Sequence, residues 1–136
     1  MTQSVLIFGA GGQLGVELVR AFRESGAEVT ALRRAEADIA DAAAVDRQVR
    51  QAKPGLVINA AAYNLVDVAE ADPEIAFRIN SLAVRNLARA SAEAGAQLVH
   101  YSTDYVFDGE KGSPYVEADE PHPLGAYAVS KLAGEF

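Results

Sequence analysis

Residues 5–15 read VLIFGAGGQLG, an apolar run that ends at a glycine-rich turn and continues into a helical pattern. Such a run is typical of a strand buried on both faces of a parallel sheet. Three glycines follow at intervals of three, at Gly9, Gly12 and Gly15. In this context they permit a tight turn, a close approach of phosphate to the backbone, and close packing of the helix on the sheet. The stretch predicts a pyrophosphate-binding turn, although a glycine turn without a ligand would read the same.

The rest of the chain continues the alternation of strands and helices. Four strand-like and four helix-like segments alternate, and this arrangement predicts an α/β fold with a Rossmann-type, doubly wound parallel sheet. A flavodoxin-like sheet that binds no dinucleotide would show the same alternation. The remaining strands are expected at 28–32, 56–60 and 97–102, and the helices at 13–25, 41–52, 72–95 and from about residue 126.

Composition excludes several classes of protein. The 136 residues carry a net charge of −7, which argues against a nucleic-acid groove or an anionic membrane surface as a partner. The absence of cysteine excludes disulfide scaffolds, thiolate zinc sites and cysteine nucleophiles. The carboxylates show no spacing typical of metal ligands, so no metal is expected. Without a signal-peptide pattern, the chain is expected to be one cytoplasmic domain, residues 1–136.

The end of the second strand carries the residues that choose between the two nicotinamide cofactors. Arg33 and Arg34 follow Leu32, and an arginine here accommodates the extra phosphate of NADP, whereas NAD takes a carboxylate. The sequence therefore favours NADPH and leaves NADH open, since both arginines could simply be solvated. Asp38 and Ile39 follow, where an adenine could lie against an apolar side chain; Asp38 could equally be a turn residue.

Candidate residues for chemistry follow the third and fourth strands. Residues 59–62 read NAAA, and such small side chains permit a flat ligand to come close to Ala60, although plain packing would use the same residues. Tyr127 and Lys131 are four apart, which places them on one face of a helix. A nearby ammonium stabilises a phenolate and lets tyrosine exchange a proton. A strand-end hydroxyl at 102–103 could donate to a ketone oxygen, so the combination predicts hydride transfer to a carbonyl.

Four stretches together resemble the dTDP-4-dehydrorhamnose reductases, which are short-chain dehydrogenase/reductases of the extended type. They are GAGGQLG at 9–15, VINAAAY at 57–63, YSTDYVFDG at 101–109 and YAVSKLAGE at 127–135. The resemblance implies a nucleotide-sugar substrate, dTDP-4-dehydro-L-rhamnose, whose 4-keto group is reduced to give dTDP-L-rhamnose. Such reductases are longer than this chain, so we expect residues 1–136 to be a truncated NAD(P)-binding domain without the C-terminal sugar-binding part. A homodimer is compatible with the resemblance.

The resemblance also implies roles for individual residues. The catalytic trio would be Thr103, Tyr127 and Lys131. Thr103 and Asp104 would touch the nucleotide sugar. The positions that would bind the cofactor are Gly12, Gln13 and Leu14 at the pyrophosphate, Asp38 and Ile39 at the adenine, and Ala62, Tyr63 and Asn64 near the nicotinamide.

Three other hypotheses stay open on sequence. Related nucleotide-sugar dehydratases resemble one another in an Asp-Glu pair after the threonine, whereas here Asp104 is followed by Tyr105, which argues against dehydration. The regulatory subunit of methionine adenosyltransferase is similar to the reductases but serves as a partner of another enzyme. Another nucleotide-sugar epimerase or reductase would share the same motifs. Of the two histidines, His100 is expected to be structural and His122 is assigned no role.

Overall fold

Four parallel strands form a single sheet in the computed structural model, which describes residues 2–136. The strands are β1 (Ser4–Phe8), β2 (Glu28–Leu32), β3 (Leu56–Asn59) and β4 (Gln97–His100), and their order across the sheet is β2-β1-β3-β4. Ile7 in β1 lies opposite Ala31 on one side and Ile58 on the other. The predicted α/β fold with a doubly wound parallel sheet is confirmed.

Six α-helices connect and cover the strands. Asp41 caps the second of them as its sequence predicts, because its carboxylate accepts hydrogen bonds from Ala43 and Ala44 backbone N–H groups. The helices are α1 (Gln13–Glu24), α2 (Ala42–Ala52), α3 (Val66–Ala71), α4 (Pro73–Phe77), α5 (Ala83–Glu93) and α6 (Ala126–Ala133). Within residues 2–136, none of them is both long enough and apolar enough to cross a membrane.

The hydrophobic core lies on both faces of the sheet because successive side chains of β1 point to opposite sides. Leu6 and Phe8 are fully buried in the cluster that contains Val45 of α2 and Leu87 of α5. Val5 and Ile7 are buried in the other cluster, against α1. A strand covered on both faces explains why residues 5–8 are uniformly apolar.

The segment between β3 and β4 differs from its prediction as one helix from 72 to 95. Helix α3 was not predicted, the side chain of Asp72 caps nothing, and a π-helical turn, Arg78–Leu82, separates α4 from α5. Pro73 begins α4 as expected, since proline suits a first helical position. Sequence spacing alone does not distinguish such a π-turn from continuous α-helix.

The sheet topology positions the functional site. Strand β1 lies between β2 and β3. The chain passes from β1 to β2 on one side, and the later strands β3 and β4 lie on the other side, so the strand order reverses next to β1. In open α/β sheets, ligands bind in the crevice at such a reversal of strand order. The glycine turn follows β1, the two arginines follow β2 and the alanine-rich segment follows β3, so all three meet at this edge.

Candidate functional site

The glycine turn packs directly against the end of β3. Gly9 has a φ of +77°, which glycine adopts freely, and a Cβ there would lie 2.5 Å from the backbone N of Ala61. A Cβ on Gly15 would overlap the carbonyl oxygen of Gly9. Both positions therefore require glycine for close backbone packing, and Gly9 brings the turn beside Ala60.

Gly12 serves a different purpose, because a Cβ there would meet nothing closer than the Gly9 oxygen at 3.5 Å. It precedes α1, whose first turn contains Gln13 and Leu14, and no side chain caps this helix. An uncapped helix N-terminus presents free N–H groups and the positive end of the helix dipole. The turn thus fits the pyrophosphate of a dinucleotide, which needs those donors and an unobstructed approach to the backbone.

The two arginines after β2 have different partners. Arg34 Nε lies 3.5 Å from Asp38 Oδ2, so this arginine is already paired with a carboxylate. Arg33 forms no ion pair within residues 2–136 and is exposed, with its aliphatic stem beside Gly11. Arg33 is therefore the arginine free to meet a phosphate at the glycine turn.

The loop that contains Asp38 and Ile39 is well ordered by its own contacts. Asp38 Oδ1 accepts a hydrogen bond from the Ala40 N–H at 2.9 Å, as a turn-forming aspartate does. Ile39 is 4% exposed and packs in the core, while its carbonyl accepts a hydrogen bond from the Asn86 side chain. The side chain of Ile39 is therefore committed to the core, and contact of this pair with an adenine stays a prediction.

A buried asparagine that the sequence did not reveal holds the segment after β3. Asn80 lies in the π-turn and is 1% exposed. Its Oδ1 accepts a hydrogen bond from the Tyr63 N–H, and its Nδ2 donates one to the Tyr63 carbonyl, both at 2.8 Å. The same Nδ2 donates to Ser130 Oγ in α6 at 3.0 Å. Asn80 thus connects the predicted nicotinamide segment, Ala62 to Asn64, to the helix that carries Tyr127. The only signal in the sequence was a lone polar residue on an apolar helix face.

Lys131 is buried behind the site. Lys131 is 3% exposed, and its Nζ donates a hydrogen bond of 2.6 Å to the carbonyl of Tyr101, the residue directly after β4. Burial lowers the pKa of the Lys131 ammonium below its ordinary value, and the nearby carboxylate of Glu135 opposes this shift. The lysine ties α6 to the edge of the sheet, on the same helix as Tyr127.

Tyr127 lies one helical turn before Lys131 and is partly exposed. Its ring packs edge-to-face against Tyr105, with centroids 5.9 Å apart. Ser130 Oγ donates to the Tyr127 carbonyl at 2.7 Å, which continues the hydrogen-bond chain from Asn80. The ring of Tyr127 is therefore positioned by Tyr105, and its backbone by the hydrogen-bond chain from Asn80.

Thr103 and Asp104 begin the 3₁₀ turn that presents Tyr105 to Tyr127. Thr103 Oγ1 accepts from the Tyr105 N–H and donates to Asp104 Oδ1, each at 3.3 Å. These weak bonds leave the hydroxyl able to reorient towards a ligand. The structure thus links Thr103 and Tyr127 through the shared neighbour Tyr105.

The two histidines have opposite environments. Burial, with a contribution from the charge of Lys131, lowers the pKa of His100 to about 4, so its ring is neutral near pH 7. Its Nδ1 pairs with Asn59 Nδ2 at 3.1 Å. His122 pairs with Asp108, which raises the pKa of His122.

Among residues 2–136, no three His, Asp or Glu side chains are grouped as metal ligands would be.

Comparison with known proteins identifies the family. The sequence profile described as RmlD substrate binding domain matches residues 2–136. The chain belongs to this family. It is 50% identical over 132 residues to a dTDP-4-dehydrorhamnose reductase of Burkholderia thailandensis, an alignment that covers 97% of this chain and 44% of the relative.

Solved structures give the same result. A dTDP-4-dehydrorhamnose reductase of Bacillus anthracis in complex with NADP is 38% identical, with a TM-score of 0.96 over 99% of this chain and 48% of that one. A UDP-glucose 4-epimerase of Thermus thermophilus in complex with NAD is 30% identical, with a TM-score of 0.88 over 96% of this chain and 48% of that one. The chain thus spans a little under half the length of these relatives. The predicted family resemblance is confirmed.

Proposed function

We propose that the protein carrying this chain reduces the 4-keto group of dTDP-4-dehydro-L-rhamnose, with NADPH as its preferred reductant. The relatives named dTDP-4-dehydrorhamnose reductase support this reaction class, and one of them is in complex with NADP. NADH remains the second candidate cofactor, since the more distant epimerase is in complex with NAD.

The observation that carries the proposal is that the glycine turn and the Tyr127/Lys131 pair lie at the same, carboxyl-terminal edge of the sheet. The glycine turn after β1 offers an open, uncapped helix N-terminus, while Tyr127 and the buried Lys131 lie on α6, which is tied to the end of β4 by the bond to Tyr101. A site for a dinucleotide and a proton donor for a ketone are the two requirements of carbonyl reduction. A structural domain would need neither.

Each residue then has a definite task. Bound NADPH would supply a hydride to the ketone carbon. Tyr127 donates the proton that the ketone oxygen needs, and Thr103 donates a hydrogen bond to the same oxygen as negative charge develops on it. Lys131 holds α6 against the sheet one helical turn from Tyr127, where its ammonium would stabilise a phenolate. Asp104, which lies beside Thr103, would contact the sugar, and Arg33 would bind the extra phosphate of NADPH.

Removing the Tyr127 hydroxyl tests the mechanism. Tyr127→Phe in the full-length protein should lower turnover of dTDP-4-dehydrorhamnose by about two to four orders of magnitude, the range for loss of a general acid. NADPH oxidation measures the rate, and Tyr115→Phe is the matched control because it removes a different tyrosine hydroxyl, which donates a hydrogen bond to Asp108. Turnover of Tyr127→Phe within threefold of wild type would rule out this role.

The regulatory hypothesis makes the opposite prediction for the unmodified protein. A subunit that serves only as a partner of another enzyme would bind NADPH but would not oxidise it when dTDP-4-dehydrorhamnose is added. Measurable turnover by the purified protein, lost in Tyr127→Phe, would exclude that alternative.

A further inference from the structure

We propose that Glu70 is a positioning residue that caps the N-terminus of α6 from a distant part of the chain and so fixes the orientation of Tyr127. Its Oε1 accepts a hydrogen bond of 2.6 Å from the backbone N–H of Ala126, the first residue of α6. Tyr127 is the next residue. This inference rests on the proposed function in so far as Tyr127 is the proton donor.

Helix α6 needs such a cap because its own sequence lacks one. The N-cap position is Gly125, which has no side chain to accept a hydrogen bond from the first turn, and the helix is only eight residues long. A short helix without a cap frays readily at its end. A carboxylate at a helix N-terminus also interacts favourably with the helix dipole.

Gly125 is the residue that admits the carboxylate. A Cβ at this position would lie 2.6 Å from Glu70 Oε1, and its three nearest neighbours would all be atoms of this carboxylate group. The backbone of Gly125 has a φ of −129°, which any residue can adopt, so its conformation does not require glycine. The space beside it is what favours glycine, since a side chain would displace Glu70.

The side chain of Glu70 is exposed, and its backbone is anchored by a buried neighbour. It follows Ala69, which is fully buried, in the short helix α3. Glu70 and Tyr127 line the same cleft of about 390 Å³, together with Tyr105 and Leu124. A movement of the first turn of α6 would therefore move the phenol, and a misplacement of about 1 Å is enough to lower a rate.

Variants of Glu70 and Gly125 in the full-length protein, compared with wild type, test the inference. Glu70→Ala and Glu70→Asp both lose the contact, the second because its side chain is one methylene shorter, and each should lower kcat about tenfold with KM for NADPH changed less than threefold. Glu70→Gln keeps the acceptor oxygen and should retain kcat within threefold. Gly125→Ala should reproduce the Glu70→Ala defect, and combining the two should cost no more than either alone.

Asp67→Asn is the matched control, because Asp67 is an exposed acid of the same helix and has no hydrogen bond or ion pair within residues 2–136. It should leave both constants unchanged. Hydrogen exchange of the Ala126 amide gives a readout independent of activity: exchange should be at least fivefold faster in Glu70→Ala and unaltered in Asp67→Asn.

The outcomes separate the two proposals. If wild type shows no reductase activity but Glu70→Ala accelerates exchange at Ala126, the proposed function fails and the cap stands. If Glu70→Ala keeps kcat within twofold of wild type, Glu70 does not position Tyr127. If Glu70→Asp retains kcat and Glu70→Gln loses it, the negative charge acts and not the hydrogen bond. That result would also overturn the inference.

Discussion

The two halves of the candidate site are built in opposite ways. The glycine turn after β1 is built mainly from local contacts, in which Gly9 lies against both Gly12 and Gly15 within seven residues of sequence, and Gly9 in addition packs against the end of β3. The Tyr127 end is assembled from distant segments: Lys131 bonds to Tyr101, Ser130 to Asn80, and Ala126 to Glu70.

This difference has consequences for each half. The turn depends on the absence of side chains, so adding a single methyl group there should damage it. The Tyr127 end depends on the presence of particular polar side chains, so removing one should loosen it. Substitutions of these two kinds therefore test the comparison directly.

The largest effect is expected from Gly15→Ala, because the new Cβ overlaps the Gly9 carbonyl. This variant should bind NADPH about 100-fold more weakly, and its free energy of unfolding should fall by about 2–3 kcal/mol. Cofactor titration and chemical denaturation measure the two quantities. Gly12→Ala is the matched control, since its Cβ has room; it should weaken NADPH binding but change stability by less than about 1 kcal/mol. Equal stability losses in both variants would contradict the distinction between the two glycines.

An intermediate effect is expected from Asn80→Ala, which leaves the N–H and carbonyl of Tyr63 without their partner. The free energy of unfolding should fall by about 2 kcal/mol, the range for buried polar groups that lose a hydrogen bond. Asn86→Ala removes one hydrogen bond, to Ile39, and should cost about half as much. Denaturation curves compare the two, and a larger loss in Asn86→Ala would show that the link through Asn80 is not the stronger one.

The smallest effect is expected from Arg33→Asp, which changes an exposed side chain and leaves the turn intact. The preference for NADPH over NADH should fall by about 1–2 kcal/mol as a charged hydrogen bond to the phosphate is lost. Titration of both cofactors gives the ratio, with Arg34→Asp as the control because Arg34 is paired with Asp38. A ratio that falls equally in both variants would contradict the assignment to Arg33.

Much of the fold was predictable because its signals are local. The apolar run at 5–8, the spaced glycines and the Asp41 cap each specify structure within a few residues, and the structure agrees with all of them. Helix α3 and the π-turn were missed. Their short lengths give no hydrophobic period of their own, so packing against neighbouring elements decides them.

The sequence by itself determined the α/β class, the glycine turn after β1 and the one-turn spacing of Tyr127 and Lys131, because each depends on residue type at a fixed spacing. Only the tertiary structure decided that, within residues 2–136, Arg33 and not Arg34 is free of an ion pair, that Ile39 faces the core, and that Asn80 and Glu70 bond to segments at the Tyr127 end. These contacts join residues as many as 56 positions apart. Spacing along the chain carries no information about such partners, because it is the packing of the sheet and helices that brings them within hydrogen-bonding distance.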